Sequence, residues 1–195
     1  GEIRDRMGGG VGSWPLAGTA VYMTSYPRKE DGVRPWEEIM PVREWLYQTP
    51  EQILIKASNG ASDFGNKFGQ PLICGSVLTF EQQEHGEKYA YDKVIMLAGG
   101  VGYGTQRDCL KGKPEKGNKV VVMGGENYRI GLGGGSVSSV ETGRYSSGIE
   151  LNAVQRANPE MQKRTYNVVR ALCEEDENPI VSIHDHGSAG HVNCL

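Results

Sequence analysis

The stretch YRIGLGGGS at positions 128–136 follows the valine-rich run KVVVMGG at 119–125, a pattern typical of a buried strand that ends in a glycine turn. Four glycines and one serine fall within its last six positions, so backbone amides can converge on a phosphate or another backbone can approach closely. It is not a P-loop, because no Lys-Ser or Lys-Thr pair follows. It is not a dinucleotide fingerprint either, because Ser136 stands where a third glycine is needed. A nucleotide cradle and a tight turn therefore both remain open.

Outward from this stretch, strand-like and helix-like segments alternate, which predicts α+β or mixed α/β architecture. The expected strands are β-branched or apolar runs bounded by turn residues. They lie at 16–25, 71–78, 93–98 and 179–184, and the last three are expected to be buried. Residues 81–88 and 99–118 have the composition of connections, the first charged and the second rich in glycine and lysine.

Two helices have N-terminal signals of their own. Thr49 can cap the first helix, and Gln52 completes its capping box. Asn158 can cap the second, since a proline follows it at the first helical position. The expected extents are 50 to about 65–69 and 159 to about 174, with a shorter helical pattern at 36–40.

The composition is that of a globular protein, since 37% of the 195 residues are hydrophobic and 23% are charged. The 28 glycines show no short period, which argues against collagen and low-complexity linkers. A net charge of −3 gives no electrostatic reason to expect nucleic acid or an anionic membrane as a partner. No apolar run approaches the ~20 residues that span a bilayer, and we expect a cytoplasmic protein. The four cysteines form no C-x-x-C pair, which argues against structural zinc.

Asp185 is the strongest candidate for chemistry, because it follows the predicted strand at 179–184 and precedes a glycine turn, where α/β proteins place ligand and metal groups. A carboxylate there suits Mg²⁺ that is shared with phosphates. The alternative is that Asp185 only caps the next helix. In an extended chain His184 and His186, two apart, point the same way with Asp185 opposite, which argues against a zinc site formed by the three.

Three further polar residues have both a functional and a structural interpretation. Asp5 could hold a metal and Arg4 an anionic substrate group, or the two could form an exposed terminal ion pair. Gln155 could bind a substrate near a helix N-terminus, or it could lie in a solvated loop. No arrangement of serine, cysteine and histidine indicates a nucleophile, and no catalytic residue is assigned.

A series of motifs covers nearly the whole chain: GEIRD (1–5), ASNGA (57–61), GNKFG (65–69), PL (71–72), MLAGG (96–100), GG (124–125), YRIGLGGGSVSS (128–139), AVQR and NPEM (153–161), and IHD followed by Gly187. In this order they resemble the phosphoribosylformylglycinamidine synthase family, also called formylglycinamide ribonucleotide amidotransferases. No single motif is decisive, but the ordered set is highly specific.

The resemblance implies an aminoimidazole-ribonucleotide-synthetase-like fold. Residues 1–116 would form part of an N-type α+β subdomain, and residues 117–195 would begin an α/β C-type subdomain. The chain is expected to be an internal fragment of the synthetase core of the large form of the enzyme. The remainder of the same polypeptide would supply a second synthetase half and a glutaminase domain.

The resemblance also implies site residues and cofactors. ATP or ADP would contact Gly1, Glu2, Ile3, Arg4 and Asp5, and a second segment made of Thr79, Phe80 and Glu81. Arg4 and Gln155 would contact the substrate, formylglycinamide ribonucleotide. Asp5 and Asp185 would bind Mg²⁺. The family reaction uses ATP to phosphorylate the substrate amide, and glutamine-derived ammonia then displaces the phosphate to leave an amidine.

Two departures from the family pattern concern loops that would approach phosphate. Ser188 and Ala189 replace the usual Ala-Gly after Asp185, and RMGGG at 6–10 replaces the commoner Glu-Gly-Ala-Thr-Gly. A different class of function is a non-catalytic nucleotide- or phosphate-binding scaffold with the same fold. A glutaminase domain downstream in the gene would favour the enzyme, and a short free-standing reading frame would favour the scaffold.

The isolated 195-residue chain is expected to be inactive, because it contains no glutaminase cysteine motif and no second-half nucleotide site. The measurement is amidine formation by the purified chain with ATP, ammonia and formylglycinamide ribonucleotide. Turnover above the rate without protein would contradict this expectation.

Overall fold

The structure is a computed structural model that describes residues 1–29, 31–38, 48–92, 95–126, 128, 137, 140, 143–152, 157–186 and 191–195. Within these residues helices and strands are mixed, as predicted. Contacts divide the chain into two compact units. The sheet unit is Ala17–Val101, and the α4 unit, named after the helix α4 (Pro159–Cys173), combines Gly1–Leu16 with Gly102–Leu195. The boundary near Lys116, predicted from the glycine- and lysine-rich connection at 99–118, stays a prediction.

The helices are α1 (Glu2–Met7), α2 (Pro50–Phe68), α3 (Ser147–Asn152), α4 (Pro159–Cys173) and α5 (His191–Cys194). The strands are β1 (Trp14–Thr24), β2 (Leu72–Thr79), β3 (Glu81–Glu84), β4 (Glu87–Ala90) and β5 (Ile95–Tyr103). Two 3₁₀ turns cover Pro35–Glu37 and Gln106–Asp108.

A three-stranded sheet with the order β2–β1–β5 contains the strands predicted at 16–25, 71–78 and 93–98. β1 and β2 are parallel, with Tyr22 opposite Val77, and α2 lies between them in sequence. This order fits the rule that parallel neighbours need a long crossover, usually a helix. Ala20, Tyr22 and Phe68 are buried.

Helix α2 begins and ends where the sequence signals predicted. The Thr49 hydroxyl accepts a hydrogen bond from the Gln52 amide at 3.2 Å, and the Gln52 side chain accepts one from the Thr49 amide at 3.2 Å. At the C-terminus Gly69 has a φ of 89°, and its amide donates to the Gly65 carbonyl at 2.9 Å. Both signals confirm the predicted extent, because each depends on residues that are close in sequence.

The charged segment after β2 is a hairpin instead of a simple connection. β3 and β4 pair antiparallel, and Glu84 lies opposite Glu87. His85 and Gly86, which join them, have φ values of 50° and 84°. Positive φ at both turn residues matches the right-handed twist of the flanking strands, which explains why so polar a segment forms a hairpin.

Helix α4 organises the second unit, and its start is also the predicted one. The Asn158 side chain accepts a hydrogen bond from the Met161 amide at 3.0 Å. One face of α4 packs against the N-terminal segment, since Val169, which is 2% exposed, and Cys173 form a buried cluster with Met7. Partly buried apolar residues complete this cluster: Tyr166, Ile180 and Ile183.

Two predicted strands are wrong. Residues 119–125 and 179–184 have no strand structure, and Val121 is 72% exposed. Valine-rich runs fit a pleated surface, but a strand forms only where another strand supplies the ladder of hydrogen bonds. Neither described sheet contains a residue of these two segments.

The prediction that 71–78 and 93–98 are buried is also wrong for the described residues. Ile73 is 58% exposed and Leu97 is 53% exposed. β2 and β5 lie at the two edges of the sheet, where side chains have a neighbouring strand on one side only.

Residues 2–7 form helix α1, where the sequence indicated only a charged start before a glycine loop. Glu2 and Arg6 form an ion pair four residues apart, and Ile3 and Met7 are buried at the same spacing. A six-residue helix is too short to be stable alone, so packing of its apolar side stabilises it.

Alanine substitutions at Gly10, in the loop after α1, and at Gly117 are expected to differ sharply in their effect on stability. Gly10 has a φ of 58°, and a Cβ there would overlap the Asp108 carbonyl oxygen. Gly117 has a φ of 106°, but a Cβ there would meet open space. In urea unfolding, Gly10→Ala is expected to cost about 2–4 kcal/mol and Gly117→Ala only about 1 kcal/mol. Equal costs would show that backbone conformation alone matters at both positions.

Candidate functional site

Arg4, Asp5 and Asp185 come together in the α4 unit, although 180 positions separate the two carboxylates. Arg4 Nε lies 3.5 Å from Asp185 Oδ2, and the Asp5 carboxyl lies close enough to that of Asp185 for Asp185 to raise the pKa of Asp5. The loop after α1 also approaches this segment, since a Cβ on Gly8 would lie 3.9 Å from the Asp185 amide nitrogen. The side chains of Arg4 and Asp185 remain partly accessible, at 33% and 21% exposure.

The surroundings of Asp5, including the carboxylate of Asp185, shift the pKa of Asp5. Partial desolvation raises the pKa of Asp5 from its ordinary value, although the residue as a whole is exposed. The charge of Asp185 and the hydrogen bond with it raise the pKa of Asp5 further, while the Arg4 guanidinium opposes the shift. A carboxyl held beside a second carboxylate is a site that favours a proton or a cation.

The carboxylates of Asp5 and Asp185 fit one kind of metal site. Over the described ranges, no group of three or more His, Cys, Asp or Glu side chains is arranged to hold a metal ion. Two carboxylates are too few for a cage made entirely of protein ligands. They fit Mg²⁺, which typically binds one or two carboxylates and takes its remaining ligands from phosphates and water.

The other predicted ATP-contacting residues within 1–5 make contacts inside the protein. The Glu2 carboxylate accepts hydrogen bonds from Arg6 Nε and, at 3.0 Å, from Arg6 Nη2. Ile3 is buried, and the Gly1 carbonyl accepts a hydrogen bond from the Asp5 amide at 3.1 Å. Within residues 1–5, the side chains of Arg4 and Asp5 are thus the two that reach the carboxylate of Asp185.

The second predicted ATP segment lies in the sheet unit. Thr79 ends β2, and the Phe80 ring lies 5.7 Å from the Tyr91 ring. Glu81 is buried, and its carboxylate accepts hydrogen bonds from Arg28 and, at 3.0 Å, from the Tyr26 amide. The buried carboxylate of Glu81 therefore has a protein partner on each oxygen. An ATP role for this segment stays a prediction.

Gln155, the glycine stretch at 131–136 and Ser188 with Ala189 lie outside the described residues. Their predicted roles stay predictions.

Sequence reasoning missed a polar cluster beside the site, made of Arg107, Asp108 and Asn178. Asp108 is 4% exposed, and its carboxylate accepts from Thr105 Oγ1 at 2.7 Å, from Arg107 Nη2 at 3.1 Å and from Asn178 Nδ2 at 3.1 Å. Hydrogen bonds from Arg107 and Thr105 lower the pKa of Asp108 to about 2, against the effect of burial. No local pattern marks this cluster, because Asn178 is 70 residues away from Asp108.

This cluster connects the segments that carry the site. The Asp108 carbonyl accepts from the Val11 amide at 2.9 Å, and Asn178 Nδ2 donates to the Val11 carbonyl at 3.3 Å. Arg107 Nη2 donates to the carbonyl of Cys173, the last residue of α4, at 2.7 Å. Such bonds satisfy carbonyls that a helix C-terminus leaves without partners. The loop after α1 and the chain leading to Asp185 are thereby held at one place.

Comparison with known proteins identifies relatives for the whole chain. The family described as "AIR synthase related protein, C-terminal domain" matches residues 115–195. The chain is 44% identical to the "Probable phosphoribosylformylglycinamidine synthase, chloroplastic/mitochondrial" of Arabidopsis thaliana. It is 40% identical to the phosphoribosylformylglycinamidine synthases of Drosophila melanogaster and Homo sapiens. Each alignment covers 100% of this chain. Over its whole length, the chain matches phosphoribosylformylglycinamidine synthases.

The chain spans 14–15% of the length of these synthases. The resemblance recognised in the ordered motifs is thus confirmed, and the part of the predicted fold that the family match supports is the C-terminal domain of AIR-synthase-related proteins. The binding roles of Arg4, Asp5 and Asp185 stay predictions.

Among the described helices, none has both the length and the apolar character needed to cross a membrane. The Arabidopsis synthase carries an organelle designation in its name. A cytoplasmic location for this chain stays a prediction.

Asp108→Asn is expected to lower the free energy of unfolding at pH 7 by about 1–3 kcal/mol, because a buried carboxylate with charged and neutral donors is lost. The folded-state pKa of Asp108 lies below its ordinary value of 3.8, so its contribution is present at neutral pH and is lost as the pH falls from 3.8 through about 2. Urea unfolding from neutral to strongly acidic pH measures the difference between wild type and variant.

The matched control for this prediction is Glu160→Gln, which breaks an exposed ion pair with Arg164 on α4. Its cost should stay below about 0.5 kcal/mol. A wild-type advantage over Asp108→Asn that persists unchanged at pH values below the lowered pKa would contradict the assignment.

Proposed function

We propose that the chain supplies one ATP·Mg²⁺ site of a carbon–nitrogen ligase that converts formylglycinamide ribonucleotide to formylglycinamidine ribonucleotide in purine biosynthesis. The juxtaposition of Arg4, Asp5 and Asp185 carries the proposal. The names of the relatives support it, since proteins called phosphoribosylformylglycinamidine synthase match the whole chain at 40–44% identity.

The reaction proposed for the whole protein has two steps. ATP phosphorylates the amide oxygen of the substrate, and ammonia derived from glutamine then attacks the amide carbon, so that phosphate leaves and an amidine remains. A bound Mg²⁺ would neutralise phosphate charge during the first step. The substrate, the ammonia source and the remainder of the same polypeptide are part of the proposal, because the chain spans 14–15% of its relatives.

Asp5 and Asp185 would bind the metal through their carboxylate oxygens. Their proximity supports this role, because two carboxylates that repel each other gain when a divalent cation lies between them. Protonation of Asp5 competes with the metal, and its raised pKa makes this competition stronger as the pH falls.

Arg4 would orient an anionic group of the substrate or nucleotide. Its guanidinium is charged throughout the physiological pH range and offers several donors in one plane. The contact of Nε with Asp185 orients the side chain at the carboxylate pair. One third of the Arg4 side chain stays exposed, so donors remain for a phosphate or carboxylate.

The test is isothermal calorimetry of Mg·ADP binding to the full-length protein and its Asp185→Asn variant. Loss of one charged metal ligand is expected to weaken binding at least about tenfold, which corresponds to ~1.4 kcal/mol. Asp63→Asn is the control, because Asp63 is an exposed aspartate whose partner, Lys67, lies on the same helix. Equal affinity of wild type and Asp185→Asn would refute the metal role and leave Asp185 as a structural residue.

A further inference from the structure

The chain leading to Asp185 is held by side-chain packing and individual hydrogen bonds, and not by a β-sheet. Residues 179–184 have no strand structure, so no ladder of backbone hydrogen bonds sets their position. The segment nevertheless contributes to the core, since Ile180 and Ile183 pack against the cluster of Met7, Val169 and Cys173. Apolar packing is not directional, and the placement of a carboxylate to within a fraction of an ångström needs directional contacts as well.

Two sets of hydrogen bonds hold the segment: one is made by Asn178, and the other by Gly112 and Lys111. At its start, Asn178 Nδ2 donates to the Asp108 carboxylate at 3.1 Å, and Asn178 Oδ1 accepts from the Ile180 amide at 3.0 Å. Farther along, the Gly112 amide donates to the Val181 carbonyl at 2.7 Å.

Lys111 makes the last of these contacts before Asp185. Its ammonium donates to the Ile183 carbonyl and lies 3.3 Å from His184 Nδ1, where a neutral ring can accept. These two residues immediately precede Asp185. Lys111 itself is exposed and takes no part in the apolar cluster, so the contact adds little to the core.

We propose that Lys111 and Asn178 are positioning residues that hold Asp185 opposite Asp5. The inference rests on the proposed metal role of the two carboxylates. Lys111 acts on the backbone of residues 183 and 184, and Asn178 ties the start of the same segment to Asp108 and, through the Val11 carbonyl at 3.3 Å, to the loop after α1. Loss of either contact lets the Asp185 carboxylate move relative to Asp5 and weakens any ligand that needs both.

For Lys111→Met, the loss of charge and the loss of the positioning contact predict opposite changes in the affinity for a divalent cation. Lys111→Met removes a positive charge near a cation site, and charge alone would make a divalent cation bind more tightly. Loss of the contact with the Ile183 carbonyl would make it bind more weakly. A lysine that only touched phosphate would change the affinity for nucleotide and leave the affinity for the metal alone unaffected or increased.

The experiment uses the full-length protein with Mn²⁺ alone, followed by electron paramagnetic resonance, and Mg·ADP, followed by calorimetry. Lys111→Met and Asn178→Ala are each expected to weaken Mn²⁺ binding about tenfold, as for residues that orient metal ligands. Lys111→Arg, which keeps the charge and a donor, should restore most of the affinity. Lys67→Met is the matched control, since Lys67 is an exposed lysine on α2 whose ion pair with Asp63 is remote in sequence from the site.

Three outcomes are distinguishable. Weaker Mn²⁺ binding by Lys111→Met, with an unchanged melting temperature and with Lys67→Met like wild type, supports the proposal. Normal or tighter Mn²⁺ binding by Lys111→Met, while Asp185→Asn binds weakly, overturns the positioning role and leaves the proposed function standing. Normal Mn²⁺ binding by Asp185→Asn overturns the proposed function itself. Because Lys111 is exposed, its variants keep the test valid even if Asn178→Ala fails to fold.

Discussion

The carboxylate of Asp108 is the point at which distant parts of the α4 unit are held together. A buried charge is costly unless donors compensate for the lost water, and here Thr105, Arg107 and Asn178 all donate to it. Asp108 also accepts a hydrogen bond from the Val11 amide through its carbonyl, and its neighbour Arg107 donates to the Cys173 carbonyl, so these two residues connect the loop after α1 with the end of α4. Thr105 and Arg107 belong to the same turn as Asp108, whereas Asn178 lies 70 residues away, and the cluster is therefore complete only in the folded protein.

The candidate site depends on this connection. Asp5 and Asp185 carry like charges, and a flexible chain would keep them apart. Packing of Met7 against Val169 and the contacts of Asn178 bring their two segments together in spite of that repulsion, and the Arg4 guanidinium offsets part of it. Perturbed carboxyls concentrate where a protein binds cations or transfers protons, because the rest of the fold can supply the stability that such a pair lacks.

Local signals were sufficient for the limits of α2 and α4 and for much of the sheet, but they did not indicate α1. The caps at Thr49 and Asn158 formed as expected, since a cap uses a side chain and an amide only three residues apart. The failures were non-local. The valine-rich run at 119–125 and the segment 179–184 have the composition of strands but pair with no strand, and burial of β2 and β5 was overestimated because a sequence does not state which strands lie at an edge.

The sequence by itself determined the limits of α2 and α4, the order of the main elements and, through its ordered motifs, the family whose members match the chain along its full length. It also indicated Arg4, Asp5 and Asp185 as residues with possible chemistry. Only the tertiary structure decided that these three meet, that the carboxylate of Glu81 is bound by Arg28, and that Lys111 and Asn178 contact the segment before Asp185. The physical reason is the range of the interactions: caps and turns act within a few residues, whereas an ion pair or a buried carboxylate depends on how segments far apart in sequence pack together.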